Sequence, residues 1–159
     1  MPIKVKFNEN SIRELYKKAG KNAINIVSEA LDLALLSAVE RARSSPEYLN
    51  QTGNLRSSLG YTVFYQGLKV GESYKKFSGP SGDGSEGITK SRNLAENIAM
   101  KHNSESTMVG VIVAGMEYAI YLEAKGKDVL TGATLILESE FKKLVIRGAQ
   151  EYGVNIKFK

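Results

Sequence analysis

One apolar stripe dominates the first third of the chain and constrains everything after it. Ile12, Leu15, Tyr16, Ala19, Ala23, Ile24, Val27, Ala30, Leu31, Ala34, Leu35 and Ala38 recur at three-and-four spacing, which is one face of an amphipathic helix. Ser11 and Glu14 open it with the pattern of a capping box, and the pattern dies before Ser44 and Pro46. Gly20 and Asn22 are weak points at which the helix is expected to split or bend. A helix of roughly 30 residues spans about 45 Å. In a chain of 159 residues, enough for one domain, a helix that long has to lie across a sheet or a neighbour.

The rest of the chain supplies the sheet. Ile3, Val5 and Phe7 alternate with Lys4 and Lys6, and Val154, Ile156 and Phe158 alternate with Asn155 and Lys157. Both patterns read as short edge strands that pair with each other or with a neighbouring subunit. Thr52–Leu59 reads as a helical turn with Leu55 and Leu59 inward. Tyr61, Val63 and Tyr65 start a hairpin that returns over Leu68–Gly71. Residues Ser78–Gly87 hold four glycines and a proline and predict a flexible loop. A helix over Ser91–Lys101 with Leu94 and Ile98 on one side and Ala95 and Ala99 as candidates beside them, a buried strand over Thr107–Ala114, a helical turn at Tyr118–Leu122 and a final helix from Thr131 to Tyr152 complete the reading. The last helix has Leu135, Ile136, Phe141, Leu144 and Val145 on its inner face, with Ala149 as a further candidate. The expected fold is α+β: a small, mostly antiparallel sheet packed by a long N-terminal helix and a C-terminal helix.

Catalytic chemistry finds few residues to work with. The chain has no cysteine and a single histidine, so thiolate metal sites and disulfides are excluded. His102 sits at a helix end, where the dipole favours it without a catalytic role. Gly84–Ser91 approaches a phosphate-binding loop, but Thr89 stands where glycine must precede Lys90. The carboxylates are scattered, and Glu138 and Glu140 point to different helix faces. No enzyme activity, cofactor or metal is expected.

The net charge of +5 is concentrated at one end, where Lys4, Lys6, Arg13, Lys17, Lys18 and Lys21 face only Glu9 and Glu14. A basic end meets nucleic acid or an acidic neighbour, or is simply a solvated face. Tyr61, Tyr65, Tyr74 and Phe77 near Lys69, Lys75 and Lys76 add a weak base-stacking pattern. Lys4, Lys6, Lys17, Lys18, Lys75 and Lys76 are therefore the candidate DNA or partner contacts. Neither a signal peptide nor a membrane span is expected, because the N-terminus alternates charge and the long helix carries charges along its length.

Two segments carry a resemblance. The first is Gln51–Leu59, containing TGNLRSSL, and the second is Gly115–Glu123, containing YAIYLE. Their order, after a long helix and before a last one, resembles the tail-component family of long-tailed bacteriophages, which supplies tail-completion and head–tail joining proteins. Membership would imply a structural virion protein that forms a homo-oligomeric ring, six-fold in expectation. It would contact connector and tail tube proteins, pass DNA non-specifically, and be made in the host cytoplasm. Arg56, Tyr118, Tyr121 and Glu123 are the candidate subunit-interface residues, with Arg56–Glu123 as a candidate salt link within or between subunits. The two tyrosines suit a boundary or seal the monomer's own core; the sequence leaves both open. Residues 1–159 form one tail-completion-like domain in which about 72–103 look inserted relative to the family. The turn after Glu123 and the start of the last helix also depart from its pattern. The competing reading is a small DNA-binding regulator that uses the basic N-terminal region.

Overall fold

The computed structural model describes residues 9–44, 48–102 and 108–158. The expected strand over 3–7, with Lys4 and Lys6, lies outside them. The chain runs α1 (Glu9–Ser44), α2 (Asn54–Ser58), β1 (Leu59–Tyr65), β2 (Leu68–Tyr74), α3 (Ser85–Lys101), β3 (Met108–Ala114), α4 (Ala119–Ala124) and α5 (Thr131–Glu151). This is the α+β fold expected, with an antiparallel sheet ordered β2-β1-β3.

α1 is one unbroken helix of 36 residues. It begins before Ser11, so Ser11 is not its cap as expected. Gly20 does not split it: a helix-interior glycine costs only about 1 kcal/mol relative to alanine, too little to interrupt so long a run.

Strand alternation distributes β1 between two layers. Tyr61 and Val63 meet Leu35 and Val39 of α1, while Phe64, Val111 and Val113 meet Ala95 and Ala99 of α3. α3 therefore covers β1 and β3 on the face opposite α1, and β1 is buried on both sides. α3 begins at Ser85, six residues before the expected start. Its inner face is Gly87, Ser91, Ala95 and Ala99, an i+4 row of small residues. Leu94, expected inward, is exposed.

α5 lies on the far side of α1 and runs antiparallel to it. Leu137 packs near Leu35 and Val39, and Gly148 sits so close to Ile26 that a Cβ there would fall 2.9 Å from its Cγ2. Leu135, expected in the core, is 77% exposed; Val145 and Ala149 of the expected face are buried, and Ala133 is buried with them. The C-terminal strand is also not formed. Val154 N–H returns to the Ala149 carbonyl at 3.0 Å, and the Phe158 ring lies 5.9 Å from the Lys142 ammonium, so this segment folds back along α5.

The expected charge barrier to a membrane span does not hold either. Tyr16–Ser44 is long and apolar enough to cross a membrane by length and composition, because only Glu29 and Asp32 interrupt residues 22–39. In the fold, the second half of this stretch packs on the sheet and on α5.

Candidate interaction surface

The two motif segments meet at one end of the molecule, where Leu55 and Leu59 pack with Met116, Ala119 and Val129. Most of their polar residues hold the chain together. Gly53 has φ 77°, and a side chain there would strike the Phe77 carbonyl; only glycine fits this left-handed, crowded position. Thr52 Oγ1 accepts the Asn54 N–H at 3.3 Å, a short side-chain turn one residue before the helix cap, and Asn54 Nδ2 donates to Glu86 of α3 at 2.8 Å. Ser57 Oγ accepts the Phe77 N–H at 2.8 Å and donates to the Phe77 carbonyl at 3.1 Å. Ser91 Oγ donates to the Ser58 carbonyl at 2.6 Å and accepts the Gly115 N–H at 3.0 Å. This buried node ties α2, α3 and the end of β3 together.

Arg56, a candidate interface residue, turns back onto its own chain. Its Nε donates to the Arg43 carbonyl at 3.1 Å, and its guanidinium lies 4.2 Å from the Phe77 ring centre. Arg43, 1% exposed, joins the end of α1 to the sheet. Its Nη2 donates to the carbonyls of Leu59 (2.7 Å) and Ser73 (3.2 Å), and its Nη1 to Glu40 (2.8 Å). Pattern reasoning missed this residue because it ends an otherwise solvated charged run; the only available signal was its position one turn beyond Val39 on the inner face.

Within the chain, Arg56 and Glu123 form no salt link, because Glu123 is used elsewhere. Its Oε1 accepts the N–H groups of Val129 (3.1 Å), Leu130 (2.6 Å) and Thr131 (3.0 Å), and its Oε2 the Thr131 hydroxyl (2.8 Å). Burial pushes its carboxyl up, but the bonds from Leu130, Thr131 and Val129 outweigh this and hold it below the ordinary range. A carboxylate at a helix start meets both unpaired N–H groups and the positive end of the dipole.

What the motifs turn outward is Glu117, paired with Lys90 at 3.7 Å, and beside it an apolar cluster. Tyr118 is 41%, Ile120 71% and Tyr121 69% exposed, so the tyrosines do not seal the monomer's core. Two shallow grooves flank them. One is lined by Leu49, Asn54, Leu55, Glu86 and Tyr118; the other, of about 480 Å³, by Lys90, Leu94, Asn97, Met116 and Ile120. Tyr48 lies beneath. Burial pushes its hydroxyl up to about 12, against the nearby Arg56 charge and with Tyr118.

No protein-family model, no curated protein and no solved structure matches this chain.

The remaining candidates are scattered. Lys17 and Lys18 are exposed on α1, and Lys75 and Lys76 follow β2, with Lys75 beside the Phe77 ring at 5.6 Å and Lys76 paired with Asp83 at 2.7 Å. The loop expected to be flexible is fastened. Ser81 N–H donates to the Gln51 carbonyl at 3.0 Å, and Gly79 N–H to Gly82 at 2.9 Å. Asp83 accepts the Ser85 N–H at 3.0 Å, so its own carboxylate fills the start of α3 where a phosphate would sit. Lys90 lies within that helix, paired with Glu86 (3.1 Å) and Glu117 (3.7 Å). His102 ends α3, exposed. Among the described residues no group of three His, Asp or Glu side chains is placed to hold a metal ion.

Proposed function

We propose that this chain is a structural virion protein of a long-tailed bacteriophage, acting in tail completion or head–tail joining as a closed homo-oligomeric ring. The observation that carries the reading is the convergence of the two motif segments at one end. There most of their polar side chains bond within the chain, while Tyr118, Ile120 and Tyr121 stand exposed. Clustered exposed aromatics and aliphatics are unusual on a monomer's surface and suit an interface core. The partners would be further copies of the chain, the connector and the tail tube, with DNA passing through, in particles assembled in the host cytoplasm.

The test is deletion of the gene from its phage or prophage, with complementation by the wild-type chain or by Ile120→Lys/Tyr121→Lys, and electron microscopy of the lysates. Separate filled heads and tails, or tails of uncontrolled length, in the deletion and in the double variant support the reading. Intact infectious particles from the deletion overturn it.

A second reading draws on the exposed Arg13, Lys17, Lys18 and Lys21 of α1: a small DNA-binding regulator. It requires duplex binding by the isolated chain that weakens steeply with salt.

A further inference from the structure

We propose that the N-terminal arm of α1, Arg13–Ile24, docks one copy of this chain onto a second, seating against the Glu29–Asp32 stretch of the second copy's α1 beside β2. The inference deepens the ring reading and rests on it for its biological setting, but its contact is a property of the chain alone.

Three observations carry it. The first is charge. Arg13, Lys17, Lys18 and Lys21, against Glu14 alone, make the arm cationic, while from residue 22 to residue 40 α1 carries carboxylates and no cation. The helix is thus complementary to a displaced copy of itself.

The second is the arm's isolation. Every described side chain of residues 10–25 except Asn22 is exposed, because α5 ends beside Asn25 and Ile26. The protruding turns, residues 9–24, extend about 24 Å at 1.5 Å per residue. They still carry an apolar row: Tyr16, 76% exposed, then Ala19, Ala23 and Ile24. A Cβ on Gly20 would meet nothing within 4 Å. Small residues beside an aromatic let another helix or a sheet edge approach closely, and a helix gains most of its stability from such packing.

The third is the receiving surface. An open groove of about 520 Å³ runs between α1 and β2, lined by Asn25, Ser28, Glu29, Asp32, Val70 and Gly71. The β1–β2 register shifts between Val63 and Phe64, which leaves Val70 opposite no partner. Val70 is 52% exposed at that rim. The groove thus offers the Glu29 and Asp32 carboxylates on the α1 wall and Val70 beside Glu72 on the β2 wall, matching the Tyr16–Ile24 row and the lysines. Arm and groove are different patches, so repetition of the contact closes a ring when the rotation allows, or a two-fold pair when each arm enters the other's groove.

The chain has no cysteine, so a cross-linking test is clean. Full-length Ala19→Cys and Val70→Cys proteins are mixed and treated with a short bis-maleimide, and their circular dichroism is compared with wild type. A mixed product is expected. It should fall at least about tenfold when the arm protein also carries Lys17→Glu, Lys18→Glu and Lys21→Glu, as the loss of several close opposite-charge pairs requires. It should return when its partner carries Asn25→Lys and Glu29→Lys, which leave the Asp32–Tyr61 bond alone. No mixed product at millimolar protein, or one indifferent to the charge reversals, overturns the proposal. So does an arm that binds duplex DNA without self-linking. If linking fails while the gene deletion still separates heads from tails, only the arm proposal falls. A sedimentation mass of two copies keeps the docking contact and removes the ring.

Discussion

The Glu123 carboxylate sits 2.6 Å from the Leu130 backbone nitrogen and closes the start of α5 from seven residues upstream. The last residue of the YAIYLE segment thereby orients the helix that packs on α1, so part of the motif serves the monomer. This separates its architectural residues from its outward ones.

Glu123→Gln should cost about 2 kcal/mol near neutral pH, the scale of a lost charged cap. The folded carboxyl is held below its ordinary value of 4.5, so its stabilisation is fully present above that value and is lost as pH falls through the folded one. Urea melts at pH 7 and pH 3 should show the wild-type advantage shrinking with acid. An equal gap at both would remove the charge from the account.

Arg43→Ala strands the Leu59 and Ser73 carbonyls and empties a buried volume. A loss of about 3–5 kcal/mol is expected, read as a lower urea midpoint. Arg56→Ala, at a half-buried site with one such bond, should cost markedly less.

Glycines divide by what surrounds them. In Gly115→Ala the new Cβ would fall 2.6 Å from the backbone of Ser91, and the serine node cannot yield without breaking. Gly20→Ala meets open space and should stabilise by about 0.5–1 kcal/mol. Thermal melts should therefore move in opposite directions.

Three tyrosines should titrate late. Burial raises Tyr48 to about 12. Burial and the 2.9 Å bond to Asp32 raise Tyr61. Burial likewise raises Tyr74. A raised folded value gives stability that is intact below the unfolded value near 10 and is lost as pH climbs through the folded one. Alkaline unfolding should begin above that value, and the ultraviolet titration should show a late component that disappears in denaturant.

Ile120→Lys and Tyr121→Lys, at solvent-facing positions, should shift monomer stability by no more than about 0.5 kcal/mol. A larger loss in a urea melt would mean that these residues pack within the chain.

Local periodicity made much of the fold legible. Leu55 and Leu59 were readable as inward because i, i+4 spacing needs no partner to be recognised. The β1–β2 hairpin was readable from two alternating runs around Gln66 and Gly67, both at positive φ. The last helix began where its pattern began. The role of α3 was not readable. Its inner face is small: of the residues that the pattern put on one side, Ala95 and Ala99 make the contact and the larger Leu94 is left exposed. The outer role of Leu135 was hidden for the same reason: α1 and α5 approach through Gly148 and the alanines, and a tight interface excludes the large side chain that hydropathy favours.

By itself, then, the sequence determined most of the elements and their α+β class, because helix and strand periods and turn chemistry are local properties of the chain. Tertiary structure alone decided the fate of Arg56 and Glu123, the outward turn of Tyr118 and Tyr121, the packing of both sheet faces and the isolation of the α1 arm. Each depends on which distant backbone groups and surfaces come within contact distance, and a charge or a ring carries no local mark of the partner that will reach it.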